Sequence, residues 1–145
     1  MTEALIKNRT LKNVLEVGTG CGYQTIIMAQ FTKRIYTIER INGLLTRARE
    51  RFQQLRFSNI RSKHADGNIG WSEHAPFDGI IVAAAPTGVP EALLEQLAVN
   101  GRLIIPVGKT GEQKLLLFTR EEEGYEKKII DSVSFVPMIG GVDTT

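Results

Sequence analysis

Apolar positions along the chain recur in two rhythms, one of strands and one of helices. Val14 to Val17 is apolar apart from Glu16, as expected of a parallel strand buried on both faces. Tyr23, Ile26, Ile27 and Phe31 then repeat at helical spacing, and Thr32-Lys33 ends that helix. Arg34 to Ile38 alternates and is rich in β-formers, which predicts a second strand finishing at Glu39. From Asn42, read as an N-cap, Leu44, Leu45, Ala48, Phe52 and Leu55 form the inner stripe of a second helix, whose outer face carries Arg47, Arg49, Glu50 and Arg51 as a solvated surface. Ile60 to His64 is a short third strand closed by the turn Ala65-Asp66-Gly67, and residues 68 to 76 form a loop. Asp78 to Ala85 is a fourth strand broken by Pro86 and Gly88. Pro90 opens a helix over Glu91 to Leu97, and Asn100-Gly101 stops it. Arg102 to Val107 is a fifth strand. Lys114 to Arg120 and Tyr125 to Val133 follow as an antiparallel pair, while Ala4, Leu5 and Ile6 in the opening segment Met1 to Lys12 read as the tail of a helix.

Strands alternating with helices predict an α/β fold, an open and mostly parallel sheet with right-handed crossovers, flanked by helices and ending in an antiparallel C-terminal strand pair. The chain's 145 residues fit one domain, residues 1 to 145, with no internal repeat or low-complexity linker. Eighteen Lys and Arg against sixteen Asp and Glu give a net charge of +2 without a long basic run, so neither nucleic acid nor an anionic membrane is expected as partner. The apolar runs are too short to span a bilayer, nothing near Met1 reads as a signal peptide, and a cytoplasmic monomer is expected. The lone Cys21 has no cysteine partner, and His64 and His74 lie elsewhere in the sequence, so no metal site is expected.

The candidate chemistry sits where the first strand meets the first helix. Glycines at 18, 20 and 22 permit a sharp turn and leave main-chain N–H groups open to a ligand. A dinucleotide fingerprint requires Gly-x-Gly-x-x-Gly, but position 23 is Tyr and the third glycine falls one residue early. Glu16 beside the loop would repel a pyrophosphate and suit a ligand carrying an ammonium and a sulfonium. Glu39 lies about 20 residues past Gly18, the interval at which an acid at the second strand's end accepts a ribose hydroxyl. Asp66, ending the third strand, shares that rim and could accept from an adenine amino group. Together these residues point to a nucleoside ligand.

Val14-Leu-Glu-Val-Gly-Thr-Gly-Cys-Gly-Tyr-Gln-Thr25, Asp66-Gly67 with Gly70-Trp71, Ala75-Pro-Phe-Asp78, Ala84-Ala-Pro86, Gly101-Arg-Leu-Ile-Ile-Pro-Val-Gly108 and Phe135-Val-Pro137 together resemble the protein-L-isoaspartate O-methyltransferase family, over residues 13 to 137. The resemblance implies a Rossmann-like class I methyltransferase fold and S-adenosyl-L-methionine as methyl donor, leaving S-adenosyl-L-homocysteine. It implies as acceptor the carboxyl of isoaspartyl residues in damaged proteins and peptides, methylation leading through a succinimide back toward aspartate. By position it implies Glu16, Gly18, Thr19, Gly20, Cys21 and Gly22 at the methionine part, Glu39 with Arg40 beside it at the ribose, and Asp66 and Gly67 at the adenine. Ala83 to Pro86 and Phe135 to Met138 become candidate peptide-facing segments, where an exposed strand edge could take a peptide by β-augmentation.

Members of that family carry a longer N-terminal region with an Ile-Ser-Ala-Pro-like segment, which does not occur upstream of Val14. An N-terminally truncated form is therefore expected, one that binds cofactor yet methylates isoaspartyl peptides poorly or not at all. No catalytic residue is assigned, because a carboxylate acceptor is already ionised near neutral pH and transfer needs alignment rather than a base. Cys21 is read as packing rather than as a nucleophile. Trp71 either covers a ligand or pins its loop. The alternatives are a cofactor-binding fragment without catalysis and an NAD-dependent oxidoreductase, the latter disfavoured by the glycine spacing and Glu16.

Overall fold

In a computed structural model, residues 1–6 and 11–145 are described; part of the opening segment, residues 7–10, lies outside them. Seven strands form one sheet. They are β1 (Leu11–Val17), β2 (Thr32–Glu39), β3 (Ile60–His64), β4 (Phe77–Val82), β5 (Leu97–Val107), β6 (Gln113–Arg120) and β7 (Tyr125–Val133). Their order across the sheet is β3-β2-β1-β4-β5-β6-β7. The first five run parallel, and β6 and β7 add on antiparallel. The helices are α1 (Thr2–Ile6), α2 (Tyr23–Ala29), α3 (Asn42–Gln54) and α4 (Glu91–Glu95). Alternation along the strands divides the core. Val14, Ile35, Ile81 and Ile104 pack with Leu5 of α1 and Met28 of α2 on one face. Leu15, Tyr36, Ile80 and Leu103 pack with Leu93 of α4 and the half-buried Trp71 on the other. This is the predicted open α/β sheet, and β1 lies where the strand order reverses, the switch point at which such sheets bind ligands.

Several boundaries differ from the sequence reading. The helix after β1, α2, ends at Ala29, because Thr32 is captured by parallel pairing with Leu11 and Phe31 is left exposed. Asn42 is not a cap; Ile41 holds that position and the N–H of Asn42 is satisfied by Asp143 O at 2.9 Å. β4 stops at Val82, since its neighbour β1 has already turned into the glycine loop. Asn100-Gly101 does not end α4. With φ of 68° at Asn100, it forms an irregularity inside β5, where Phe77 pairs with Leu97 but Gly79 with Arg102. Residues 67–76 contain two short 3-10 turns, Gly67–Ile69 and Ser72–His74, the first capped by the Asp66 carboxylate.

Candidate functional site

At the carboxyl ends of β1, β2 and β4 the structure opens a cavity of about 450 Å3, within the range of small-molecule sites. Its floor is the glycine loop. Gly18, Gly20 and Gly22 have φ of 97°, 55° and 85°, conformations that a side chain would strain. The loop is tied to β2 by Gly18 N donating to Ile38 O at 2.8 Å and by Gly20 N donating to Glu39 Oε1 at 2.8 Å. The other Glu39 oxygen accepts from Ile41 N at 3.0 Å, so this 6% exposed carboxylate is oriented by two backbone donors while lining the cavity. Each oxygen keeps a second lone pair. Arg40 lines the cavity beside it, and its buried Nε has no partner among the described residues.

Of the candidate cofactor residues, Gly18, Gly20, Glu39, Arg40 and Gly67 lie on the cavity wall. Glu16, Thr19, Cys21, Gly22 and Asp66 do not line it. Glu16 is 0% exposed; its Oε1 accepts from the hydroxyls of Thr25 and, at 2.6 Å, Thr37, while Oε2 has no partner among the described residues. Burial pushes its pKa up to about 7 against those two hydrogen bonds, with the Glu39 charge adding to the rise. Thr19 joins the same network through Thr37 at 2.6 Å. Cys21 is exposed and its carbonyl accepts from Arg51 Nη1 at 2.7 Å. Gly22 packs against Phe52: a Cβ there would lie 2.8 Å from the ring. Gly22→Ala should therefore destabilise the chain by about 1–2 kcal/mol from the left-handed backbone alone, read as a lower urea midpoint at unchanged slope. An unchanged midpoint would mean the loop relaxes freely.

Asp66 faces the C-terminal segment instead of the cavity. Its Oδ1 accepts from Asn68 N and Nδ2 and its Oδ2 from Gly141 N at 2.9 Å. Burial pushes its carboxyl up, but these donors and Arg40 outweigh it and hold the pKa below the ordinary value. Residues 134–145 cross the mouth of the site, a role with no local sequence pattern to announce it. Ala85 N and O pair with Val136 O and Met138 N, and Asp143 bridges to Ile41. Val136 to Ile139 thereby complete the cavity wall, with Ile41, Leu44, Ala83 and Ala84. The two segments read as an open edge for a peptide thus satisfy each other at Ala85 and Pro137. Leu44 was readable only as core; next to Leu45, it is half-buried and turned to the cavity. Trp71 pins its loop, packing edge-on to Tyr36 at 5.4 Å, with Gln96 Oε1 accepting from its backbone N–H at 2.9 Å. His64 Nε2 lies 2.9 Å from Arg40 O and 3.0 Å from Asp143 O, and His74 stacks on Tyr36.

The comparisons with known proteins agree with this geometry. A solved protein-L-isoaspartate O-methyltransferase superposes with a TM-score of 0.88 over 98% of this chain and 46% of its own length at 24% identity, which speaks to the fold. A Plasmodium falciparum structure of the same type, in complex with S-adenosyl-L-homocysteine, matches with a TM-score of 0.76 and 28% identity over 88% of this chain and 65% of that one. The protein-L-isoaspartate O-methyltransferase of Halorhodospira halophila is 53% identical over 141 residues, 97% of this chain; the chain spans 64% of that relative, a little under two thirds. The profile of the protein-L-isoaspartate(D-aspartate) O-methyltransferase family matches residues 1–143, and with this fold and this degree of identity the chain belongs to that family.

Proposed function

We propose that the chain carries out S-adenosyl-L-methionine-dependent methylation of the carboxyl of isoaspartyl residues in damaged proteins and peptides, in the cytoplasm, with the cavity as the cofactor site. The observation that carries this reading is the Glu39 carboxylate, held at the wall by Gly20 N and Ile41 N with lone pairs left over. Two acceptor oxygens suit the two hydroxyls of a ribose. The residues fit such a cofactor in other respects too. Ile38, Ile41, Leu44 and Met138 offer apolar surface to a base, and the Glu39 carboxylate on the wall disfavours a pyrophosphate, whereas Glu16, buried behind the loop with its pKa raised, adds little charge there. We assign Gly18, Gly20, Glu39, Arg40 and Gly67 as cofactor contacts, and Glu16, Thr19, Cys21, Gly22 and Asp66 as the residues that hold the loops in which those contacts sit.

The cofactor supplies the methyl group. An isoaspartyl carboxylate is ionised near pH 7, so the protein need supply no base, only alignment and exclusion of water. Val136 to Ile139 and Ala83-Ala84 do the second by roofing and flanking the cavity. With protein in excess over peptide, so that slow transfer still registers, label from methyl-tritiated S-adenosylmethionine should appear as a base-labile ester on an isoaspartyl peptide and not on its aspartyl isomer. Equal labelling of the isomers, or no label on either together with no binding of S-adenosylhomocysteine, would contradict the assignment.

A further inference from the structure

A second cavity, of about 410 Å3, shares Pro137 and Met138 with the cofactor cavity as a common wall. Its other walls come from the stretch after β4, the turn between β5 and β6, and Asn68. Gly108 N donates to Pro86 O at 2.9 Å and lashes the first two together. The cavity is polar and of one sign. Lys109 is the only charged residue on its wall among the described residues, and it makes no ion pair there. The hydroxyls of Thr87 and Thr110 have no hydrogen bond within the described chain, whereas Gln113 is committed to Phe135 through both ends of its amide. Thr87, Lys109 and Thr110 are all exposed, and an ammonium with neighbouring hydroxyl donors and no acid on the same wall attracts a carboxylate. Because Pro137 and Met138 wall both cavities, a side chain within a residue or two of the reacting carboxyl of a bound peptide, at about 3.3–3.6 Å of extended backbone each, has this second cavity in reach.

We propose, building on the function above, that this second cavity receives the side chain flanking the isoaspartate and that Lys109, with Thr87 and Thr110, selects an acidic one. The test is equilibrium binding of fluorescent isoaspartyl hexapeptides and their aspartyl isomers to the chain saturated with S-adenosylhomocysteine, with Glu, Gln or Lys placed before or after the isoaspartate. At low salt the Glu peptide should bind roughly two- to fivefold more tightly than the Gln peptide at one of the two positions, as an exposed ion pair allows, and the Lys peptide more weakly. The difference should vanish near 1 M salt, where the screening length falls to about 3 Å. K109E should reverse the order, a change that loss of a merely structural lysine would not produce. Isoaspartyl-selective binding that ignores the flanking charge, or a preference for Glu that survives K109E, overturns this inference alone. Binding of neither isomer, or of both alike, overturns the functional reading and this inference with it.

Discussion

Between about pH 4.5 and about pH 7 the folded chain should lose about 3 kcal/mol of stability on account of Glu16, and Glu16→Gln should remove that slope. The carboxyl is fully buried, and burial raises its pKa from 4.5 to about 7. A raised acid binds its proton more readily folded than unfolded. Below about 4.5 both states hold the proton and Glu16 contributes no pH dependence. Across the interval only the folded chain holds it, so raising the pH favours unfolding; above about 7 the loss is complete. The slope is the readout, since the amide introduced by the substitution also buries an N–H group where Oε2 had no partner and shifts the whole curve. Urea midpoints at half-unit pH steps decide it. Parallel profiles for the parent and Glu16→Gln would mean that water reaches the carboxyl.

Glu39→Ala should weaken S-adenosylhomocysteine binding by about 1.5–3 kcal/mol, roughly ten- to a hundredfold, the usual worth of hydrogen bonds to a charged group. Two effects combine in it. The ribose would lose its acceptor, and Gly20 N and Ile41 N would lose the carboxylate that orders the glycine loop. Glu39→Gln keeps one acceptor oxygen and should fall between the two. Asp66→Ala should cost less, because its oxygens hold the strap at Asn68 and Gly141 and stand off the cavity wall. Calorimetric titration of the three variants provides the ranking. Parental affinity in Glu39→Ala would remove the ribose assignment.

How far the sequence could be read depended on whether the deciding contacts were local. β3 matches its expected span of Ile60 to His64, since a short strand bounded by turn residues needs only its own neighbours to identify it. The glycine turn and Glu39 were legible for a related reason: spacing along strand and turn brings them together whenever the sheet forms. Glu16 was harder. Its position beside the loop was evident, but its burial depends on Thr25 and Thr37, nine and twenty-one residues away, closing over it from α2 and β2. Asn100-Gly101 has the composition of a helix stop, and only the register of β5 on β4 shows it to be a kink within a strand. The crossing of residues 134–145 over the site rests on backbone bonds at Ala85, Arg40 and Asn42 and on side chains distant in sequence, Asp66 at Gly141 and Gln113 at Phe135, none of which forms a local pattern.

The cavity over the glycine loop is built for a nucleoside bearing an amino-acid tail rather than for a dinucleotide. Titration calorimetry of the chain with S-adenosylhomocysteine and, separately, with NAD tests it most directly. The account predicts saturable one-to-one binding of S-adenosylhomocysteine, weakened by Glu39→Ala, and much weaker binding of NAD, whose pyrophosphate would meet the Glu39 carboxylate. NAD binding as tight as or tighter than that of S-adenosylhomocysteine would contradict it.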